Sequence, residues 1–308
     1  MTARECDASV LPTAAERRGL LEVNRAASRF FRRELLRAKG GWAREYVVRG
    51  GAPELLALDS KWAIGYAPDA PSRLVDHLRS RGFKLETVRN AGLGVLNPEG
   101  RTVDRFRDQV MFPAWNDHLE TVGFTAVRGI EKPYYATSPA TAIHQRRNAL
   151  IGVAEQIDLL TDGASPVLVN HPLDAVAVER ISRLTIGRWA GIPLCDFLLS
   201  AGQAHILGRY AAIDTAIVVL TDDKAGRRAA VSSLNDLSRF FTRVRAVELP
   251  AGQSPSSLAV QEDGMQRLHD GLLVTRPLSD YRPHQQPRRP PPLSPTLDPN
   301  PSDQTPSL

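Results

Sequence analysis

Polar residues that close apolar runs in the second half of the chain are the best placed for chemistry. Asn170 follows Val167-Leu168-Val169, and Cys195-Asp196 falls within the apolar run Pro193 to Phe197. Thr221-Asp222-Asp223 follows Ala216 to Leu220, and Pro250-Ala251 follows Val244 to Leu249. If these runs are strands of a parallel sheet, such residues line the crevice beyond its carboxyl ends, where ligands bind. Asp174 lies four residues past Asn170. Taken alone, Asp174 and Asp223 read as a helix N-terminal acid and a turn residue. A second set is basic: Arg105 and Arg107 alternate along an expected extended segment and so share one side, from which they could follow a phosphate backbone together.

The elements that must position these residues fall into two parts. The 308 residues leave room for about two domains. With 42% hydrophobic and 24% charged residues, the chain can bury an ordinary core. We expect a flexible start over 1–13, an N-terminal domain over 14–152, a second domain over 153–278 and a disordered proline-rich tail over 279–308. The net charge of +5 is compatible with a polyanionic partner. Cys6 and Cys195 are two distant thiols, too few for a disulfide framework or a zinc site. No segment reaches the ~18 apolar residues of a membrane span. A reduced, soluble, cytoplasmic chain is expected.

The first part begins as helix. From Ala14 to Lys39, Leu20, Val23, Ala27, Phe31 and Leu35 recur at three- and four-residue steps and share a face. Arg17, Arg18, Arg25, Arg29, Arg32, Arg33 and Arg37 fall mostly elsewhere, as a solvated basic face or a phosphate-contacting one. Short helices are expected over Gly41 to Val48, Pro53 to Leu58, Pro71 to Arg81 and Leu85 to Ala91. Two strands should flank a hairpin at Trp115-Asn116-Asp117-His118. After Ala149 the pattern alternates. Strands are expected at Val167 to Val169, Pro193 to Phe197, Ala216 to Leu220 and Val244 to Leu249. Helices are expected over Ala175 to Leu184, Ala201 to Tyr210, Ala225 to Phe240 and Leu258 to Leu273. That alternation predicts an α/β fold with a largely parallel sheet flanked by helices, behind an α+β N-terminal part. In the tail, Arg289 to Pro295 matches a generic proline-rich ligand pattern.

The run Asp104-Arg105-Phe106-Arg107-Asp108-Gln109-Val110-Met111-Phe112-Pro113 resembles a segment of the catalytic core of bacterial replicative primases. Gly123-Phe124, Lys132 to Thr141 and Leu150-Ile151-Gly152 follow in that family's order, and Ile64 to Pro68 resembles its upstream motif. Asp223 to Ala230 is similar to the strand-to-helix turn of a Toprim domain, the metal-binding α/β unit of such primases, topoisomerases and some nucleases. The resemblance runs from about Ala26 to Leu273.

What the resemblance implies is nucleotidyl transfer assisted by Mg²⁺ or Mn²⁺, with carboxylates converging at strand ends. Here the expected glutamate is Asn170, while Asp174 keeps a matching aspartate. The expected Asp-x-Asp pair is Thr221-Asp222-Asp223, so Asp223 alone holds a family position. Asp222 would be the added candidate metal ligand beside Asp174 and Asp223, although adjacent residues of a strand point to opposite sides. Ser254 stands where an aspartate is expected, Asp196-Phe197 where Gly-Thr is, and Arg146 where a lysine is. Nothing before Ala26 would form the family's zinc ribbon, so no zinc is expected. The tail stands where a helicase-binding domain would be.

The same resemblance places Arg105, Arg107, Arg128, Lys132, Arg146 and Arg147 in a basic groove, with Tyr134, Tyr135 and Trp115 as stacking faces or ordinary packing. The expectation is therefore a DNA-replication protein that binds single-stranded DNA or RNA–DNA hybrid through a degenerate active site with little or no catalysis. Other replication proteins are candidate partners. The alternatives are an active divergent DNA primase and a Toprim-type nuclease.

Overall fold

The computed structural model of the chain describes residues 12–130, 134–195 and 198–282. Helix α1 (Ala14–Arg37) opens with a capping box: the Thr13 hydroxyl accepts from the Glu16 amide, and the Glu16 carboxylate accepts from the Thr13 amide. The stripe expected from the sequence is buried, with Phe30 and Asn24 beside it. Then come α2 (Trp42–Arg49), β1 (Gly65–Ala67), α3 (Arg73–Ser80), α4 (Leu85–Asn90), β2 (Gly94–Leu96), β3 (Thr102–Asp104), β4 (Gln109–Trp115), β5 (Thr121–Arg128) and β6 (Tyr134–Thr137).

An antiparallel sheet of order β1-β4-β5-β6 lies under α1. Gly65 permits that approach: a Cβ there would fall 2.4 Å from the Phe31 Cβ and 2.5 Å from its backbone. β4 and β5 form the expected hairpin. Its turn is fixed by Asn116, whose side-chain oxygen accepts from the His118 and Glu120 amides. Asp104 is buried and accepts from the amides of Leu74 and Val75, which anchors the first turn of α3.

The second part comprises α5 (Ile157–Thr161), β7 (Ser165–Val169), α6 (Pro172–Leu184), β8 (Trp189–Pro193), α7 (Ala201–Tyr210), β9 (Thr215–Leu220), α8 (Lys224–Ser232), α9 (Leu234–Leu237), β10 (Arg243–Glu248), α10 (Pro255–Ala259), α11 (Gly264–Leu273) and β11 (Arg276–Pro277). Its sheet has the order β11-β10-β9-β7-β8. β8, β7, β9 and β10 are parallel, and only the edge strand β11 is antiparallel. The mixed α/β architecture is the one the sequence predicts.

Several boundaries differ. The strand expected from Pro193 to Phe197 is instead β8, which ends at Pro193. Cys195 has φ 54° and cannot continue an extended chain, and its amide donates to the Asn170 carbonyl. The helix expected over Ala225 to Phe240 is broken at Ser233 into α8 and α9, and that over Leu258 to Leu273 into α10 and α11. Asp263, at φ 56°, makes the second break. Pro53–Leu56 is a single 3₁₀ turn.

A buried cluster running from Leu35 and Tyr46 through Phe112 and Ile151 to Val176, Val247 and Leu272 crosses the boundary expected at residue 152. Leu278–Tyr281 forms a further 3₁₀ turn with Leu278 buried, so the chain is still packed where the tail was expected to begin. Residues 1–11 and 283–308, including Cys6 and the Arg289 to Pro295 pattern, lie outside the described residues. Among the described residues no helix is long and apolar enough to cross a membrane.

Glu155 is buried where β4 meets the second part. One of its oxygens accepts from the Trp115 indole N–H at 3.1 Å, and the other has no hydrogen-bond partner. Burial pushes its carboxyl up from 4.5 to about 7. The folded chain therefore keeps a proton that the unfolded chain loses above 4.5. Stability from this group falls as pH rises through that window and stays reduced above about 7. Glu155→Gln, which stays neutral, should raise the melting temperature at pH 8 and lose most of that advantage near pH 5. A variant equally or less stable than the parent at pH 8 would contradict this account of Glu155.

Candidate carboxylate site and nucleic-acid interface

The strand-end residues are set by the β7–α6 and β9–α8 connections. β7 stops at Val169, Asn170 is exposed in the turn, and Pro172 opens α6, where its missing N–H costs nothing. His171 caps this helix: its Nδ1 accepts from the Leu173 amide, and its Nε2 lies 3.3 Å from the Tyr46 hydroxyl. The Tyr135 ring packs edge-on against the same imidazole, 6.0 Å away.

One turn on, Asp174 is only 4% exposed. Its Oδ1 accepts from both the amide and the hydroxyl of Ser256, at 2.9 and 2.5 Å. The Ser254 hydroxyl accepts from the Ser257 amide and so caps α10. The position expected to hold an aspartate thus serves the short helix that covers Asp174.

β9 ends at Leu220, before the Thr221-Asp222-Asp223 run. The Asp222 carboxylate accepts from the Gly252 amide, across the sheet end. The Asp223 carboxylate turns the other way, accepts from the Gly226 amide at 2.7 Å and caps α8. That amide hydrogen bond holds the Asp223 carboxyl below its usual range. Asp174 and Asp222 line one cleft of about 620 Å³, together with Tyr46, His171 and Ser254. Asp223 lines a neighbouring cleft of about 330 Å³, and Asn170 and Thr221 border both.

The carboxylates that the sequence resemblance would assign to a metal cluster do not face a single cleft. The three carboxylates are bonded to three different N–H groups and divided between two clefts, and the fourth position offers a neutral amide. Among the described residues no three His, Cys, Asp or Glu side chains converge to hold an ion.

The basic residues are differently disposed. Arg105 and Arg107 are exposed on either side of buried Phe106, so they do face outward together. They lie in the link between β3 and β4, however, and not in a strand. The Arg105 amide donates to the Leu93 carbonyl, which carries the β2–β3 register one residue past the end of β3. Arg128, at the end of β5, pairs with Asp108 at 3.1 Å. Asp108 stands at φ 52° and also accepts from the Trp42 indole and the Tyr66 hydroxyl. Burial raises its carboxyl, but those donors and Arg128 outweigh burial and hold it below its usual range.

Arg146 and Arg147 are exposed in a 3₁₀ turn whose carbonyls accept from Gln203 and Ser200 at the start of α7. Partial burial lowers the Arg105 and Arg146 guanidinium pKa values, and both stay charged at neutral pH. Lys132, Asp196 and Phe197 lie outside the described residues. Of the aromatic candidates, Tyr134 is 67% exposed. Trp115 packs inward onto Glu155 and Tyr135 onto His171, which makes both packing residues here.

Sequence reasoning missed Tyr46, Asp108 as an organising acceptor, His171 and Ser256. Asp108 lies inside the recognised Asp104 to Pro113 run, which could have flagged it. Ser256 meets Asp174 from 82 positions away, a contact that no local pattern reveals.

Residues 30–157 match the family model of the DNA primase catalytic core, N-terminal domain. The chain is a relative of the bacterial DNA primases. The DNA primase of Deinococcus radiodurans is 32% identical to it over 250 residues, covering 80% of this chain and 41% of that primase. The RNA polymerase domain of Mycobacterium tuberculosis primase DnaG has the same fold, with a TM-score of 0.72 at 23% identity over 86% of each chain. A DnaG primase catalytic domain solved bound to ssDNA aligns with a TM-score of 0.67 at 23% identity, over 87% of this chain and 85% of that one. The chain spans 41–45% of the length of curated primases that it matches.

If Asp223 serves this primase relative as a helix cap, asparagine should replace it. Asn and Asp are equivalent at that position, whereas alanine costs about 1 kcal/mol. Chemical denaturation should find Asp223→Asn close to the parent and Asp223→Ala destabilised by that amount. Equal stability of the parent and both variants would contradict the capping role.

Proposed function

We propose that this chain is a primase-like replication protein that holds single-stranded DNA, or an RNA–DNA hybrid, on exposed arginines and contributes little or no nucleotidyl transfer of its own. In this reading the parallel sheet is a Toprim-like unit following an N-terminal primase unit, with the division near residue 152. One observation carries the proposal. Arg105, Arg107, Arg146 and Arg147 are exposed, while Asp174, Asp222 and Asp223 are each engaged by a protein N–H.

The chemistry follows from that division. Guanidinium groups attract phosphates and release condensed counterions, which gives affinity without reading sequence. Asp108 orients Arg128 toward the same task through the Trp42 and Tyr66 bonds that fix its carboxylate. Tyr134 offers a ring on which a base could stack. Primer synthesis would need cations to lower the pKa of a 3′-hydroxyl and offset charge on the α-phosphate. In this reading the carboxylates, divided between two clefts and each accepting from a protein N–H, serve the fold instead of that step. The DNA held by one structural relative, the catalytic domain bound to ssDNA, supports the choice of ligand.

Two measurements test this. Arg105→Ala plus Arg107→Ala should weaken binding of a single-stranded oligonucleotide and lower the slope of log K against log salt by about 1.4, or ~0.7 for each phosphate left without its arginine. A template-directed primer-synthesis assay with Mg²⁺ or Mn²⁺ should yield no product from protein that binds the template. Product that disappears in Asp223→Ala would overturn the non-catalytic part of the proposal. Unaltered binding by the arginine variant would overturn the assigned surface.

A further inference from the structure

Helix α1 carries basic residues that the proposed interface does not use. Arg25, Arg29, Arg33 and Arg37 recur every four residues, so they form one stripe that climbs the helix by ~6 Å a step and ~18 Å in all. Not every arginine of the helix belongs to it. Arg17 pairs with Glu120, and Arg32 donates inward to the carbonyls of Leu55, Ala57 and Ile64. Of the acids on the helix, Glu34 is buried, pairs with Arg73 at 2.9 Å and lies 3.9 Å from Arg37 at the end of the stripe, and Glu16 is spent in the capping box. Glu22 is the acidic neighbour that remains beside the stripe.

Two recesses follow the stripe and share Arg29. One, of about 220 Å³, is lined by Arg25, Arg29, Arg81, Glu22 and Phe83. The other, of about 530 Å³, is lined by Arg29, Arg33, Arg37, Ser28 and Leu58. Among the described residues no ion pair reaches Arg25, Arg29 or Arg81. The Arg33 guanidinium lies over the Phe30 ring and meets His77 at 3.1 Å, and its Nε is buried with no acceptor. An unmet buried N–H is costly, and more so on a charged group. Burial and the charges of Arg33 and Arg81 hold the His77 imidazole below its ordinary pKa, so it adds no fixed charge to counter the arginines.

We propose that this stripe is a second nucleic-acid contact, a track for the phosphate backbone of a DNA strand, separate from the arginines near β4 and α7. It rests on the nucleic-acid reading given above and extends it. The stripe offers four guanidinium groups in a row to the phosphates of one strand. The exposed face of α1 carries no aromatic side chain, which leaves backbone contact without base stacking and makes duplex as acceptable as single strand. A membrane surface fits poorly. An interfacial helix needs a free apolar face, whereas that of α1 is packed in the core and Leu58, 89% exposed, is the lone fully exposed apolar flank of the stripe.

The test is binding of the full chain to a duplex oligonucleotide across a salt series. Arg25→Ala plus Arg29→Ala removes two exposed charges and keeps good helix formers. Arg188→Ala plus Arg239→Ala removes the same charge elsewhere on the exposed surface. The first variant should lose affinity and lower the slope of log K against log salt by about 1.8, and the second should do neither. Equal effects in both variants, or none in the first, would overturn the track. A first variant that loses phosphatidylserine vesicles while keeping DNA would also overturn it, in favour of a membrane. If the parent bound no DNA, this inference and the proposed function would fall together. If only Arg105→Ala plus Arg107→Ala weakened binding, the track alone would fall.

Discussion

A carboxylate that leaves water must find donors, a cation or a proton, because an uncompensated buried charge costs several kcal/mol. At the carboxyl end of the parallel sheet this demand falls on Asp174, which is buried, whereas Asp222 and Asp223 stay exposed and accept protein hydrogen bonds at the surface. Asp174 takes two hydrogens from Ser256, and this contact holds α10 against α6 and closes the β10–α10 loop over the sheet end. Asp222 fastens the same loop from the other side through Gly252, while Asp223 starts α8. The same carboxylates thus help to hold the loops at the sheet end, each through one of its oxygens. A serine at 254, in place of a further acid, is compatible with this because a hydroxyl caps α10 without adding charge.

The basic surface answers to a different constraint. Arginines keep their charge whatever surrounds them, so they need only be held outward. Phe106, buried between Arg105 and Arg107, holds that pair outward, and the Gln203 and Ser200 bonds to the carbonyls of Arg146 and Arg147 do the same at α7. Binding to phosphate can thus persist where a precisely converging carboxylate cluster does not. The relation to bacterial primases lies in the shared fold and in the residues matched over 30–157. Neither specifies what the sheet-end residues do.

Much of the architecture was legible in the sequence because it rests on local signals. The α1 stripe, the β4–β5 hairpin and the β–α alternation each follow from hydrophobic period or turn chemistry. The errors arose where single residues override the period. Cys195 leaves the extended region, Asp263 breaks a helix from the left-handed region, and Ser233 divides another. At the site, Asn170, Asp174, Thr221, Asp222 and Asp223 line the sheet-end clefts, but their partners were not legible. Ser256 for Asp174, Gly252 for Asp222 and Trp42 for Asp108 are all distant in sequence. Arg105 and Arg107 came out on one side as expected, through a buried phenylalanine and not through strand alternation.

The central claim is that protein donors occupy the carboxylates at the sheet end. The most direct measurement is Mn²⁺ binding by the full chain, followed by electron paramagnetic resonance of free and bound ion, in the parent and in Asp174→Asn and Asp222→Asn. The account predicts weak binding in the parent that neither variant changes. A stoichiometric site in the parent, lost in Asp174→Asn or Asp222→Asn, would contradict it.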